Sequence, residues 1–116
     1  MFSLDPTTGA EAVVYSFQGG KDGVSSFASL IKVGGRLYGT TFFGGTFGDG
    51  TVFSVSLKTG AERVEHSFGG GSYGFYTYAG LINVGGTLYG TTEYGGGSNN
   101  CSSGPGGCGT VFAVTP

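Results

Sequence analysis

The chain has 116 residues, of which 27 are glycine and none tryptophan; 15% are aromatic, only 10% are charged, and the formal net charge is -2. So little charge leaves no basic field to hold phosphates, which argues against nucleic acid and anionic membrane surfaces as partners, and no apolar run approaches the roughly 20 residues of a membrane-spanning helix. Disorder is excluded because Phe, Tyr, Val, Leu and Ile recur in short β-rich runs, and collagen because the glycines come in pairs and not at every third position.

At the N-terminus, "MFSLDPTTGAE" lacks the basic and apolar segments of a signal peptide, so we expect a mature fragment or an engineered piece. The runs "FSL" and "AVVYSF" read as strands. A glycine loop, "QGGKDGVSS", leads to "ASLIKV", a "GG" turn and "LYGTT"; a second loop, "FFGGTFGDG", leads to "TVFSVS". There Phe53, Val55 and Leu57 alternate with Val52, Ser54 and Ser56, the period of two that a strand requires. After the turn "KTG", the run "ERVEHSF" is expected to carry Val64, His66 and Phe68 on one side and Arg63, Glu65 and Ser67 on the other. The loop "GGGSYGFYT", then "AGLINV", "GG" and "LYGTT", repeat the order, and "EYGGGSNNCSSGPGGCG" precedes the last run, "GTVFAVTP". No stretch has helical spacing, so the prediction is all-β.

The second half repeats the first. "GGRLYGTTFFGG" from Gly34 returns as "GGTLYGTTEYGG" from Gly85, 51 residues later, and about 25 of the 44 positions from Phe2 to Gly45 are identical at that offset. "GTVFAVTP" repeats "GTVFSVSL" at an offset of 59, the difference being an insertion that carries both cysteines. We therefore expect one domain over 1–116, with a first repeat at about 2–52, a second at about 53–111 and a strand of a third unit at 112–116. Each unit reads as four strands, "LYGTT", "TVFSVS", "RVEHSF" and "AGLINV", and a four-stranded meander at this period is the sequence form of a propeller blade.

The phrases "LYGTT", "GGTFGDGTVFSV" and "YSFQGGKDG...ASLI" resemble the Gloeo/Verruco-type (GloVer) tandem repeats of secreted or surface-anchored bacterial proteins. The resemblance implies a propeller-like, extracellular, repeat-built domain and no particular activity. Such repeats usually come in longer arrays, whereas here there are two.

Two blades cannot close a ring, because each buries both faces against neighbours and an isolated pair would leave two apolar faces in water. The expectation is a longer array or a homo-oligomer, a trimer or tetramer giving six to eight blades within the usual four to eight, with the second-blade face, including Phe53, Phe68 and Leu81 or their neighbours, meeting the first-blade face of another copy. "GTVFAVTP" of one copy would then lie beside "VVYSF" of the next. Phe2–Leu4 repeats the same strand and competes with Phe112–Val114 for that place.

The long loops of a meander share one rim. There Phe43, Phe47, Tyr73, Tyr76 and Tyr94 are candidates to stack on sugar rings, and Asp22, Asp49 and Glu93 to accept hydroxyl hydrogen bonds; the competing role for the aromatics is packing between blades. His66, the only histidine, has no partner at ligand spacing and is expected to be packed, so no metal site is predicted. Asp22 and Asp49 lie in single turns without a calcium-loop series, and the paired glycines lack the lysine and helix of a phosphate cradle. No cofactor is expected. Cys101 and Cys108 flank "SSGPGG" and are the only thiols, so a disulfide in an oxidising, extracellular or cell-surface compartment is predicted.

The functional expectation is a non-catalytic extracellular or surface module that binds a glycan or a protein through its long loops. The alternative is an enzyme using the central channel. No catalytic residue is assigned, because "LYGTT", the expected innermost strand, offers only Thr40, Thr41, Thr91 and Thr92, and Glu93 has Phe42 as its counterpart.

Overall fold

Two-residue glycine turns, short alternating runs and serine- or aspartate-capped bends leave this chain one way to organise its backbone, as antiparallel hairpins. The computed structural model describes residues 1–69, 73–101 and 106–116. Among these residues there are nine strands: β1 (Phe2–Leu4), β2 (Glu11–Val13), β3 (Ile31–Val33), β4 (Arg36–Thr41), β5 (Thr51–Ser56), β6 (Glu62–Ser67), β7 (Ile82–Val84), β8 (Thr87–Thr92) and β9 (Thr110–Val114). A 3-10 turn is formed at Gly20–Asp22.

The strands form three antiparallel sheets, β1-β2, β3-β4-β5-β6 and β7-β8-β9. Equivalent turns are built by equivalent residues. Asp5 Oδ1 accepts from the amides of Thr7 and Thr8 before β2, and Ser56 Oγ accepts from those of Lys58 and Thr59 before β6. The strand grouping corrects the sequence expectation in one respect. "AGLINV" does not close the sheet that precedes it but opens the next, since Ile82–Val84 pairs with Thr87–Tyr89. The intervening "GG" turn is too tight to let it do otherwise. One sheet therefore has four strands, and the other has three.

A second correction concerns β6. Val52 pairs with His66 and Phe53 with Val64, so Glu65 is an extra residue in a bulge. The bulge shifts the alternation, and Val64 and His66 lie on opposite faces. His66 is exposed and not packed as expected, edge-on to Phe68 with centroids 5.0 Å apart.

The sheets are layers packed face against face. Call the side of the four-stranded sheet bearing Ile31, Tyr38 and Val52 its front, and the side bearing Leu37, Gly39 and Phe53 its back. The front meets the back of the three-stranded sheet, where Leu81, Leu88, Phe112 and Val114 complete the core with Phe68 and Phe75. Behind, the segment after β2 closes on the back of the four-stranded sheet, with Phe17 edge-on to Phe53 at 4.9 Å. The stack measures 51 × 31 × 22 Å, as expected of layers set in a row.

Each of the two larger sheets contains a glycine in mid-strand, normally a weakness. Here it makes room for an aromatic ring. A Cβ at Gly90 would stand 2.5 Å from Phe112 Cζ, and one at Gly39 would stand 2.7 Å from Phe53 Cζ. The glycine of "LYGTT" is thus the seat of the phenylalanine of "TVF".

Phe53, Phe68 and Leu81 are all buried inside the chain, so the outer apolar face expected from the sequence is made of other residues. The front of the three-stranded sheet is the open one. Ile82 is 62% exposed and Val111 76%, whereas Tyr38 and Val52, at the positions of Tyr89 and Val111 in the preceding sheet, are 4% and 0% exposed.

Candidate functional site

The long loops converge on one edge of the layers, held there by hydrogen bonds within and between repeats. The Tyr76 amide donates to the Asp49 carbonyl, the Glu93 amide donates to the Tyr76 carbonyl, and Thr77 Oγ1 donates to the Thr41 carbonyl. The rim is a stitched surface, and its side chains are positioned by both sheets.

Of the residues singled out from the sequence, Phe43, Tyr76, Glu93 and Tyr94 are brought together. Tyr76 stacks on Phe42 with centroids 4.5 Å apart and meets Phe43 edge-on at 5.3 Å. Tyr94 packs against Phe75 and Tyr76. The neighbouring Glu93 carboxylate, as hydrogen-bond acceptor and as charge, holds the Tyr94 hydroxyl above its ordinary pKa. Tyr76 has φ 61°, a left-handed conformation costly for a bulky residue, of order 1–3 kcal/mol. Its counterpart Ser25 has the same φ, so the backbone bend belongs to the repeat and the aromatic ring to this copy.

Two aromatics that the sequence analysis did not single out extend the cluster into solvent. Phe27 and Tyr78 are exposed, lie 6.0 Å apart, and each contacts Phe42. They occupy the same position in the two repeats, 51 residues apart, which is the signal that could have found them.

Tyr73 belongs to a separate place. With Phe47, His66, Ser67 and Gly69 it lines an open cleft of about 280 Å³, and it is 77% exposed. Asp49 is half-buried and contributes its backbone to the rim.

Asp22 is engaged elsewhere. Its Oδ2 accepts from Tyr15 Oη at 2.7 Å and from the Gln18 amide at 2.8 Å. The Asp22 hydrogen bond, reinforced by burial and by the Glu62 charge, pushes the Tyr15 hydroxyl up to about 12. Burial, then the Asp22 charge, raises Glu62. Asp22 Oδ1 and Glu62 Oε1 are buried with no hydrogen-bond partner in the structure. This acidic group lies against the four-stranded sheet and not among the aromatics of the rim.

Threonine hydroxyls behind the rim are committed to each other. Thr41 and Thr51 share a hydrogen bond at 2.8 Å, as do Thr92 and Thr110. Among the described residues no three metal-ligating side chains come together, and no helix is long and apolar enough to cross a membrane. Cys101 and Cys108 form the predicted disulfide, with Cα atoms 5.3 Å apart.

No protein-family model, curated protein or solved structure matches the chain.

Proposed function

We propose that the chain is a non-catalytic structural and interaction module of an extracellular or cell-surface protein, built from propeller-type blades and offering its long-loop rim to a glycan. The observation that carries this reading is the aromatic surface of Phe27, Phe43 and Tyr78, exposed outside and backed by the packed rings of Phe42 and Tyr76. Rings held rigidly from behind can stack on the apolar face of a sugar with little loss of conformational freedom, and Glu93 stands beside them as a hydroxyl acceptor. The disulfide fits an oxidising compartment, and the likeness of "LYGTT" and its companions to the GloVer repeats supports the same setting. The exposed apolar front of the three-stranded sheet, with Ile82 and Val111, supports assembly into a homo-oligomeric ring, a trimer or tetramer.

An enzyme in a central channel is the competing reading. The hydroxyls of Thr41 and Thr92, which would have to face that chemistry, are used to bridge β4 to β5 and β8 to β9, and this favours the structural role. A glycan array probed with the chain and with its F27A/Y78A double variant tests the proposal. Binding that the double variant loses is expected; binding that survives it would place recognition elsewhere, and turnover of a glycoside substrate would favour the enzyme.

A further inference from the structure

We infer that the open front of the three-stranded sheet is covered by a second copy of this chain, whose β2 pairs with β9 after β9 has displaced that copy's β1. The inference rests on the reading of the chain as a blade-forming module and adds the partner, the register and the strand that gives way.

Two surfaces lack a cover. On the front of the three-stranded sheet, Ile82, Tyr89, Thr91 and Val111 line a shallow groove of about 200 Å³. At the other end of the stack, an open cleft of about 580 Å³ separates Met1 and Phe17 from Ala28, Leu30 and Phe53 on the back of the four-stranded sheet. Repeat equivalence says how they fit. Ile82, Tyr89 and Val111 correspond to Ile31, Tyr38 and Val52, while Leu30, Leu37 and Phe53 correspond to Leu81, Leu88 and Phe112. Leu81, Leu88 and Phe112 already cover Ile31, Tyr38 and Val52 inside the chain, in the core between the two larger sheets. The two open surfaces are therefore a second instance of a pair whose fit the structure displays.

The open front is also better suited to burial than its internal template. In the four-stranded sheet Arg36 donates to Ser54 Oγ, which in turn donates to Glu65. Thr87 and Ala113 stand at the positions of Arg36 and Ser54, so no charge at those two places has to be desolvated.

Strand order fixes the rest. The three-stranded sheet supplies the equivalents of β3, β4 and β5, and the hairpin supplies the equivalents of β5 and β6. The free edge of β9 lacks the neighbour that β6 provides for β5, and β2 is that neighbour's counterpart. β1 holds the place that β9 would take. It has three residues, all exposed, against five in β9, which is already anchored to β8. In the exchanged register Phe112 falls opposite Val13, as Phe53 falls opposite Val64. Pairing also removes an exposed sheet edge. The contact is head to tail, so repeated it closes a ring or grows a filament.

The test uses the full chain at micromolar concentration, with circular dichroism, sedimentation and two engineered cysteine pairs. Strand-type dichroism and a particle of several chains are expected. Oxidation of the F112C/V13C variant should link different chains, mapped by peptide mass, whereas F2C/V13C should give little linkage within a chain in the assembled fraction. Val111→Asp, at a site exposed within the chain, should reduce the particle to one chain of 11.6 kDa with unchanged dichroism. A folded monomer overturns the inference while glycan binding by that monomer leaves the module reading intact. An oligomer linked through Phe2 and Val13 within chains, and never through Phe112, overturns the strand exchange. A chain without strand-type dichroism overturns the blade-forming reading itself.

Discussion

Phe68 meets Phe112 edge-on, with ring centroids 5.0 Å apart and planes at 69°, and Phe17 meets Phe53 in nearly the same way at 4.9 Å and 81°. The two pairs are equivalent in the repeat. In both, the phenylalanine that follows the last strand of one layer lands on the phenylalanine seated over the mid-strand glycine of the next. Sequence identity between repeats is thus identity of an interface, which is how a chain of short strands acquires a core: no layer is buried by itself, and each is buried by its neighbour.

Phe68→Ala should therefore be among the most damaging single changes, costing about 3–5 kcal/mol, because the ring is fully buried between layers. Phe17→Ala should cost less, since Phe17 is half-buried beside an open cleft. Urea denaturation of the two variants measures the difference; equal losses would mean that the cleft is filled in solution.

Gly90→Ala should destabilise by about 1–3 kcal/mol, the cost of overpacking, because the new methyl meets both Phe112 and Leu81. Gly35→Ala is the control. Nothing lies within 4 Å of a Cβ there and its φ is not left-handed, so an effect within about 0.5 kcal/mol is expected. Similar thermal shifts for the two variants would show that backbone entropy, and not the seat for the ring, is what glycine provides.

Much of this architecture was legible from residue order, because alternation and paired glycines determine strands and hairpins locally. "TVFSVS" alternates as read, with Phe53 and Val55 on one face, and the repeat offset located equivalent layers. What alternation cannot report is an inserted residue, so it misses the bulge at Glu65 and puts Val64 and His66 on one face, which the bulge separates. Nor can it say which faces meet. Phe53, Phe68 and Leu81 were read as an outer surface, and layer stacking buries them within the chain. At the rim, the structure brings Phe43, Tyr76 and Tyr94 to one loop edge, while Asp22 is drawn away by Tyr15, seven residues earlier, a contact that depends on the path of a glycine-rich loop.

Replacing both Cys101 and Cys108 by Ser removes a loop closure worth roughly 2–3 kcal/mol in the chain-entropy model. The first repeat makes the same β-to-β connection between β4 and β5 without a cysteine, so the sheets should persist. We expect unchanged strand-type dichroism with a lower denaturation midpoint. Loss of the strand signal would show that β9 depends on the crosslink.

Two carboxylates on β6 should give stability opposite pH slopes. Glu62 is raised by burial and by the Asp22 charge, so the folded chain holds that proton to higher pH than the unfolded chain. Its contribution falls as pH rises from its ordinary value of 4.5 through the folded value. Glu65 is buried too, which alone would raise it, but hydrogen bonds from Ser54 and Arg63 prevail and lower it. The stability it contributes is present above 4.5 and lost as pH falls through its folded value. Glu62→Gln should accordingly stabilise at pH 7, by about a few tenths of a kcal/mol since solvent screens the half-buried group, and the gain should vanish below pH 4.5. Glu65→Gln should destabilise at pH 7 by about 1 kcal/mol, an interaction with the exposed Arg63 being screened and the Ser54 bond carrying most of the effect. Thermal melts of both variants across pH 3 to 8 check the signs, and parallel curves for the two would rule out this assignment of the β6 carboxylates.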